Sequence, residues 1–267
     1  GNLAMLADMG HVIKFNPLAV LGETYLQSQW IVPRVDALLE ALGEEDTDGI
    51  LCLRGAYGAS DLLPHLPWKQ LEGMPQKRLV GFSDITALHS AFFSKLGWKG
   101  IHGPMPGTPY WGKSGTDDVV ALMDTLASGS HPRGEIAVTA VSAKSEASGW
   151  LFGGCFSVLT DLIGTEYFPN LEGAILIWED VGEHLGPYLR RFNQWLQSGV
   201  LDGVEAIILG RFVDLQVGEE AALVQAFSER WSGNIWRSSQ FGHISPNWPL
   251  PLGVEAVIRD GLLCWGT

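Results

Sequence analysis

The sequence predicts an α/β protein, with a mostly parallel sheet flanked by helices in the first half and a mixture of helices and short strands in the second. Three observations carry this. Short apolar runs such as "GILCLRG" (49–55) and "RLVGFSD" (78–84) have the continuous character of strands buried on both faces. Amphipathic stretches of helical period follow them, and strand–helix alternation implies parallel pairing. With 267 residues, 46% of them hydrophobic, the chain can bury a sizeable core as one large domain or two of ordinary size.

Taken in order, "NLAMLADMG" (2–10) reads as a helix and "HVIKF" (11–15) as a short strand. Pro33, tolerated in a first turn, opens a helix through "RVDALLEALGEE". After the strands at 49–55 and 78–84, "ITALHSAFFSKLG" is a helix closed by Gly97, and "TDDVVALMDTLASG" (116–129) is another. The polar, small-residue stretch over 131–148 reads as a crossover. It separates an N-terminal domain, 1–130, from a C-terminal domain, 149–267. Beyond it come a helix in "GCFSVLTDLIG" (154–164), a strand in "GAILIWED" (173–180) and a helix in "HLGPYLRRFNQWLQSG" (184–199). A strand in "VEAIILGRF" (204–212) and a helix in "GEEAALVQAFSERW" (218–231) follow. The Pro- and Gly-punctuated end closes in a β-hairpin around Asp260-Gly261.

The net charge of −13 argues against nucleic-acid binding, which needs a basic stripe, and against docking on anionic lipid. No apolar stretch reaches about 18 residues, so no spanning helix is expected. Three scattered cysteines (Cys52, Cys155, Cys264) with no C-x-x-C fit a reducing compartment, and the N-terminus carries no charged-then-apolar leader. The chain reads as soluble and cytoplasmic.

Three segments bring reactive groups to the ends of strands, where parallel sheets gather their ligands. "CLRGAYGAS" (52–60) follows a buried strand and has glycines that let backbone N–H groups approach a ligand; it lacks the Gly-Lys-Ser/Thr of a P-loop. In "GFSDITALHSAF" (81–92) Ser83 lies between a strand and a helix. A Ser-Asp pair there either caps the helix or forms a nucleophile elbow that raises the hydroxyl above the sheet. "LIWEDVGEHLG" (176–186) ends a strand in Glu179 and Asp180, which are either solvated charges or the orienter of a histidine. The spacing matches no zinc pattern, and no metal is expected.

Of seven histidines, His243 in "QFGHISPN" (240–247) is the candidate base. His184, behind the acidic strand end, is its rival. His102 in "IHGPM" reads as a structural turn, and His89 lies on the helix after Ser83.

In combination, "RGAYGAS", "GFSDITALHSAF", "HGPM", "GGCFSVLTDLIGTEYFPNLEGAILIWEDVGEHLGPYLRR" and "FGHISPNWPLPLG" resemble the LD-carboxypeptidase family of serine peptidases, in order along the chain. The nearest function is muramoyl-tetrapeptide carboxypeptidase. The resemblance implies a doubly wound N-terminal domain and a smaller C-terminal α/β domain, with the active site in the cleft between them. It implies Ser83 as nucleophile, Glu179 and His243 as the rest of a triad, and the backbone N–H groups of Asp84 and Ala56 as the oxyanion hole. Arg54 is then the candidate for the substrate's terminal carboxylate, and Gly55 is expected beside it among the substrate-binding residues.

The implied substrate is a cytoplasmic murein tetrapeptide that loses its terminal D-alanine. No metal or organic cofactor is required, and the protein is expected to form a homodimer. Some relatives instead hydrolyse a peptide–nucleotide antibiotic, for which Trp111, Trp150 and Trp178 could stack a base. A non-catalytic binding module on the same fold is the third reading. Two departures stand out. The chain starts inside what resembles the family's first helix, so the first sheet strand is expected to be missing. Ala56 also replaces a glycine of the family's "RGGYG", which costs energy if φ is positive there.

Overall fold

The structure is a computed structural model that describes residues 2–16, 27–128, 132–142 and 146–266. Its helices are α1 (Asn2–Asp8), α2 (Ile31–Gly43), α3 (Ala59–Leu62), α4 (Trp68–Leu71), α5 (Thr86–Leu96), α6 (Asp117–Ala127), α7 (Phe156–Asp161), α8 (Leu185–Gln197) and α9 (Glu219–Arg230). The strands are β1 (Gly49–Leu51), β2 (Arg78–Gly81), β3 (Ile101–His102), β4 (Gly134–Ala137), β5 (Thr139–Ser142) and β6 (Ala147–Cys155). They continue with β7 (Ala174–Val181), β8 (Ala206–Val213), β9 (Asn234–Arg237), β10 (Leu250–Pro251), β11 (Val254–Arg259) and β12 (Leu262–Trp265).

Two sheets form. The first has the order β1-β2-β3-β10, parallel except for its last pairing. The second has the order β4-β12-β11-β6-β7-β8-β9-β5, with β6 to β9 parallel and antiparallel strands on both flanks. The α/β class and mostly parallel pairing are as the sequence predicts. The second sheet, expected in the smaller unit, nevertheless has eight strands against four.

Successive residues of β2 serve opposite faces of the first sheet. Leu79 packs with Leu42, Leu88 and Phe92, whereas Val80 packs with Leu6, Trp111, Val119 and Leu122. A larger core covers the second sheet, with Trp178, Trp195, Tyr188, Phe192 and Phe227 completely buried. Fully burying side chains of this kind stabilises by about 1.5–3 kcal/mol each. Helix α5 is buried from Thr86 through Phe92 and touches both β6 and α7, so it is the shared wall between the two sheets. Among the described residues, no helix is long and apolar enough to cross a membrane.

Several expectations need correction. Residues 11–16 form no strand; Val12 is 91% exposed and makes no ladder. The stretch expected as crossover instead supplies β4 and β5, which pair with β12 and β9 at opposite edges of the second sheet. Its residues 131 and 143–145 lie outside the described set. Gly154 and Cys155, expected to open a helix, instead end β6, and the helix starts at Phe156. His102 lies in β3, opposite Gly81 and Leu250, and not in a turn. β10 returns from the C-terminal stretch to complete the first sheet before β11 enters the second. The hairpin at Asp260-Gly261 forms as expected, with both residues at positive φ, 52° and 77°.

Candidate active site

β2 ends at Gly81, and the chain turns at once into a short 3₁₀ turn, Ser83–Ile85, that runs into α5. Ser83 takes φ 61°, a left-handed conformation that non-glycine residues rarely adopt, and it is partly exposed. Neither the 3₁₀ turn nor α5 has a side-chain cap at its N-terminus, so the cap reading of Ser83 does not hold. Asp84 caps elsewhere: its Oδ2 accepts the Ala59 N–H at 2.8 Å and pins the 54–59 loop beside the elbow. Burial raises the Asp84 carboxyl above its ordinary range, against that bond and the charge of Arg34.

The loop approaches as closely as a glycine allows. A Cβ on Gly55 would stand 2.9 Å from the Ser83 Cβ, 3.0 Å from its Oγ and 3.2 Å from the Asp84 nitrogen. Ala56 has φ 90°, so it occupies the strained conformation that its departure from "RGGYG" made a concern. Arg54 is exposed at the start of this turn.

β7 brings up the acids. Its pairing with β8 shifts register between Trp178 and Asp180, a bulge that re-aims the intervening Glu179. Both carboxylates are buried, but their partners separate their roles. Asp180 faces the start of α7, accepting the Ser157 N–H at 2.7 Å and the Ser157 hydroxyl at 3.2 Å. Burial beside Glu179 pushes its carboxyl up to about 6. Glu179 instead meets His243, with Oε2 2.6 Å from Nδ1. A carboxylate only accepts, so Nδ1 carries the proton and Nε2 is the free basic nitrogen. Burial opposes both charges, yet each group favours the charged form of the other. Glu179 is therefore held below its ordinary range and His243 above.

The His243 loop is fixed from behind. The Gly242 N–H donates to Asn247 Oδ1 at 3.0 Å, and the Asn247 N–H donates to Asp118 Oδ2 at 2.9 Å. Ser114 and Ser245 exchange two further bonds, both at 3.0 Å. A side chain on Gly242 would press on the Glu179 Cβ at 3.2 Å. The His243 ring packs edge-on against Phe82, with centroids 4.8 Å apart, which brings the imidazole against the residue preceding Ser83. Tyr110 packs against the same ring at 6.2 Å.

Glu179, near the end of β7, thus meets His243 from the loop after β9, and the His243 ring packs on Phe82, the residue between the end of β2 and Ser83. His184 precedes α8 and has no bond to either acid. Sequence reasoning missed Tyr110, Asn247 and Asp118. Only the buried-helix position of Asp118 hinted at an internal role. Of the tryptophans considered for base stacking, Trp178 and Trp111 are buried in cores. Trp150 is half-buried, stacks on Phe93 at 5.0 Å and donates to the Glu172 carbonyl. Among the described residues, no group of three or more His, Cys, Asp or Glu side chains is arranged to hold a metal ion.

The model of the LD-carboxypeptidase N-terminal domain matches residues 2–103, and that of the LD-carboxypeptidase C-terminal domain matches residues 148–258. A murein tetrapeptide carboxypeptidase of Pseudomonas aeruginosa is 31% identical over 87% of this chain and 79% of its own length. In fold, the chain is similar to the muramoyltetrapeptide carboxypeptidase from Oxalobacter formigenes, with TM-score 0.86 and 24% identity over 100% of this chain and 92% of that one. It is also similar to a microcin C7 self-immunity protein solved with aspartyl sulfamoyl adenosine, with TM-score 0.72 and 21% identity over 88% of this chain and 80% of that one. With both domain models matched over most of its length, this chain belongs to the LD-carboxypeptidase family of peptidases.

Proposed function

We propose that the protein is a serine-type LD-carboxypeptidase that removes the terminal D-alanine from murein tetrapeptides. The observation that carries this is the buried 2.6 Å contact between Glu179 and His243, with its imidazole packed against the elbow that holds Ser83 at φ 61°. His243 Nε2 takes the proton as the Ser83 hydroxyl attacks the scissile carbonyl, then gives it to the leaving amine. Glu179 keeps Nδ1 protonated and stabilises the imidazolium as it forms. The Asp84 N–H and one from the Gly55–Ala56 turn hold the oxyanion, each such donor being worth roughly 3–4 kcal/mol in the transition state. Water then releases the acyl group by the same proton path in reverse. Arg54 is assigned to the terminal carboxylate of the substrate, beside the oxyanion turn.

The reading includes a cytoplasmic, homodimeric enzyme. Three free thiols support the compartment, and sedimentation would test the dimer. The substrate is tested by competition. A tetrapeptide ending in meso-diaminopimelate or lysine followed by D-Ala should release D-Ala. Its L-Ala epimer should react about 10²-fold more slowly, because inversion pulls the carboxylate from its cationic partner. Faster cleavage of an aminoacyl-adenylate mimic would assign the peptide–nucleotide activity instead, with the triad unchanged.

A further inference from the structure

The motif "HGPM" has no part in the mechanism above, yet its histidine lies inside the site. His102 is wholly buried, and both ring nitrogens lack a hydrogen-bond partner. Its ring packs edge-on against Phe82 at 5.9 Å, the same phenyl ring that carries His243, and against Phe241 at 6.0 Å. A buried imidazole without partners is costly, so such an arrangement asks for an explanation. Glu179 Oε1, the oxygen of the carboxylate that the His243 ring does not use, is likewise buried without a partner, as is the Asn247 side-chain nitrogen, while the His243 backbone N–H also favours the ionised carboxylate. His102 is electrostatically coupled to both Glu179 and His243. A neutral imidazole has one N–H to give, and a carboxylate oxygen in a buried site needs one.

We propose that His102 is a positioning residue of the hydrolytic site, whose ring N–H serves Glu179 Oε1 and so keeps Oε2 aimed at His243. The bond closes by a small rotation of the ring or through one bridging water. Strand pairing prepares it. His102 sits opposite Gly81 in β3, and the Gly81 carbonyl accepts the Gly103 N–H at 3.3 Å and meets His89 of α5 at 3.1 Å, so the strand carrying the elbow is bonded to the strand carrying His102 and to the helix behind it. The groups that bear on His102 are Glu179 from β7, His243 from its loop and His89 from α5, with Asp180 and Asp214 bearing on His243 in turn. Burial pulls His102 down to about 4, so near neutrality it is the uncharged donor this role needs.

The inference rests on the triad reading, and its test separates the two. His102→Leu removes the donor at similar volume, whereas His102→Gln restores an N–H. The readouts are the rate of Ser83 labelling by a fluorophosphonate and the titration of the Glu179–His243 pair by NMR of ¹⁵N-histidine protein. H102L should label about tenfold or more slowly, the scale of one lost bond to a charged group, with H102Q near the wild-type rate. The midpoint of the pair should rise in H102L, because the ionised carboxylate has lost a donor that its protonated form does not need. Labelling of H102L at the wild-type rate, H102Q as slow as H102L, or an unmoved midpoint would each overturn the proposal. If H102L does not fold, H102M carries the same comparison. A wild-type protein that is not labelled at all would count against the triad reading, while the NMR midpoints still decide the role of His102.

Discussion

Replacing Glu179 by Gln tests the electrostatic core of the mechanism with the smallest change of shape. Oε2 and Nδ1 are 2.6 Å apart, which puts the centres of the carboxylate and the imidazolium about 4 Å from each other. At an effective dielectric of about 20, two unit charges at that distance interact by roughly 4 kcal/mol. The amide carbonyl can still accept the Nδ1–H, so orientation is partly kept while the charge is lost. At about 1.4 kcal/mol per decade, kcat should fall about 10³-fold with KM changed only a few-fold. The pH profile should move as well. Glu179 raises His243 against the effect of burial, so E179Q should shift the acid limb of kcat/KM to lower pH. Coupled detection of D-Ala release over pH 4.5–8 measures both effects. A loss of kcat under tenfold, or an acid limb that stays in place, would refute the assignment of Glu179.

Three further outcomes follow from the same geometry. Ser83→Ala should abolish turnover and leave the melting temperature within a few degrees, because Ser83 makes no cap bond; residual activity with a large loss of stability would reverse that reading. Asp180→Asn should cost about 1–3 kcal/mol in urea unfolding through its bonds at the start of α7, while kcat stays within tenfold. A kcat loss as large as that of E179Q would make Asp180 the functional acid. Stability should also fall as pH drops from about 6.5 toward 4. Burial pulls His89 and His102 each down to about 4, so the unfolded chain binds their protons first; Asp180, raised to about 6, offsets part of this. Equal urea midpoints at pH 7 and 4.5 would contradict it.

What the sequence made legible depends on how local the cause is. The strand–turn–helix around Ser83, β7 with its acids, and the Asp260-Gly261 hairpin are written in apolar runs and turn residues a few positions apart. The choice of Glu179 over Asp180 could not be read from composition, because a bulge decides which of two adjacent carboxylates faces His243. β4 and β5 were hidden because edge strands bury one face and need no continuous apolar run. β10 has two residues, one of them proline, and exists only because the chain passes β3 on its way to β11. His102 looked like a turn because "HGP" carries turn residues, yet pairing with Gly81 and Leu250 makes it strand.

The central claim is that the Ser83 hydroxyl is a nucleophile activated by His243, and mapping a covalent adduct tests it most directly. The protein would be treated with a fluorophosphonate at pH 7.5, digested, and the modified residue identified by tandem mass spectrometry, beside His243→Asn and Ser83→Ala. The account predicts a single stoichiometric adduct on Ser83, strongly slowed in H243N and absent in S83A. An adduct on another residue, or labelling of Ser83 at an unchanged rate in H243N, would contradict it.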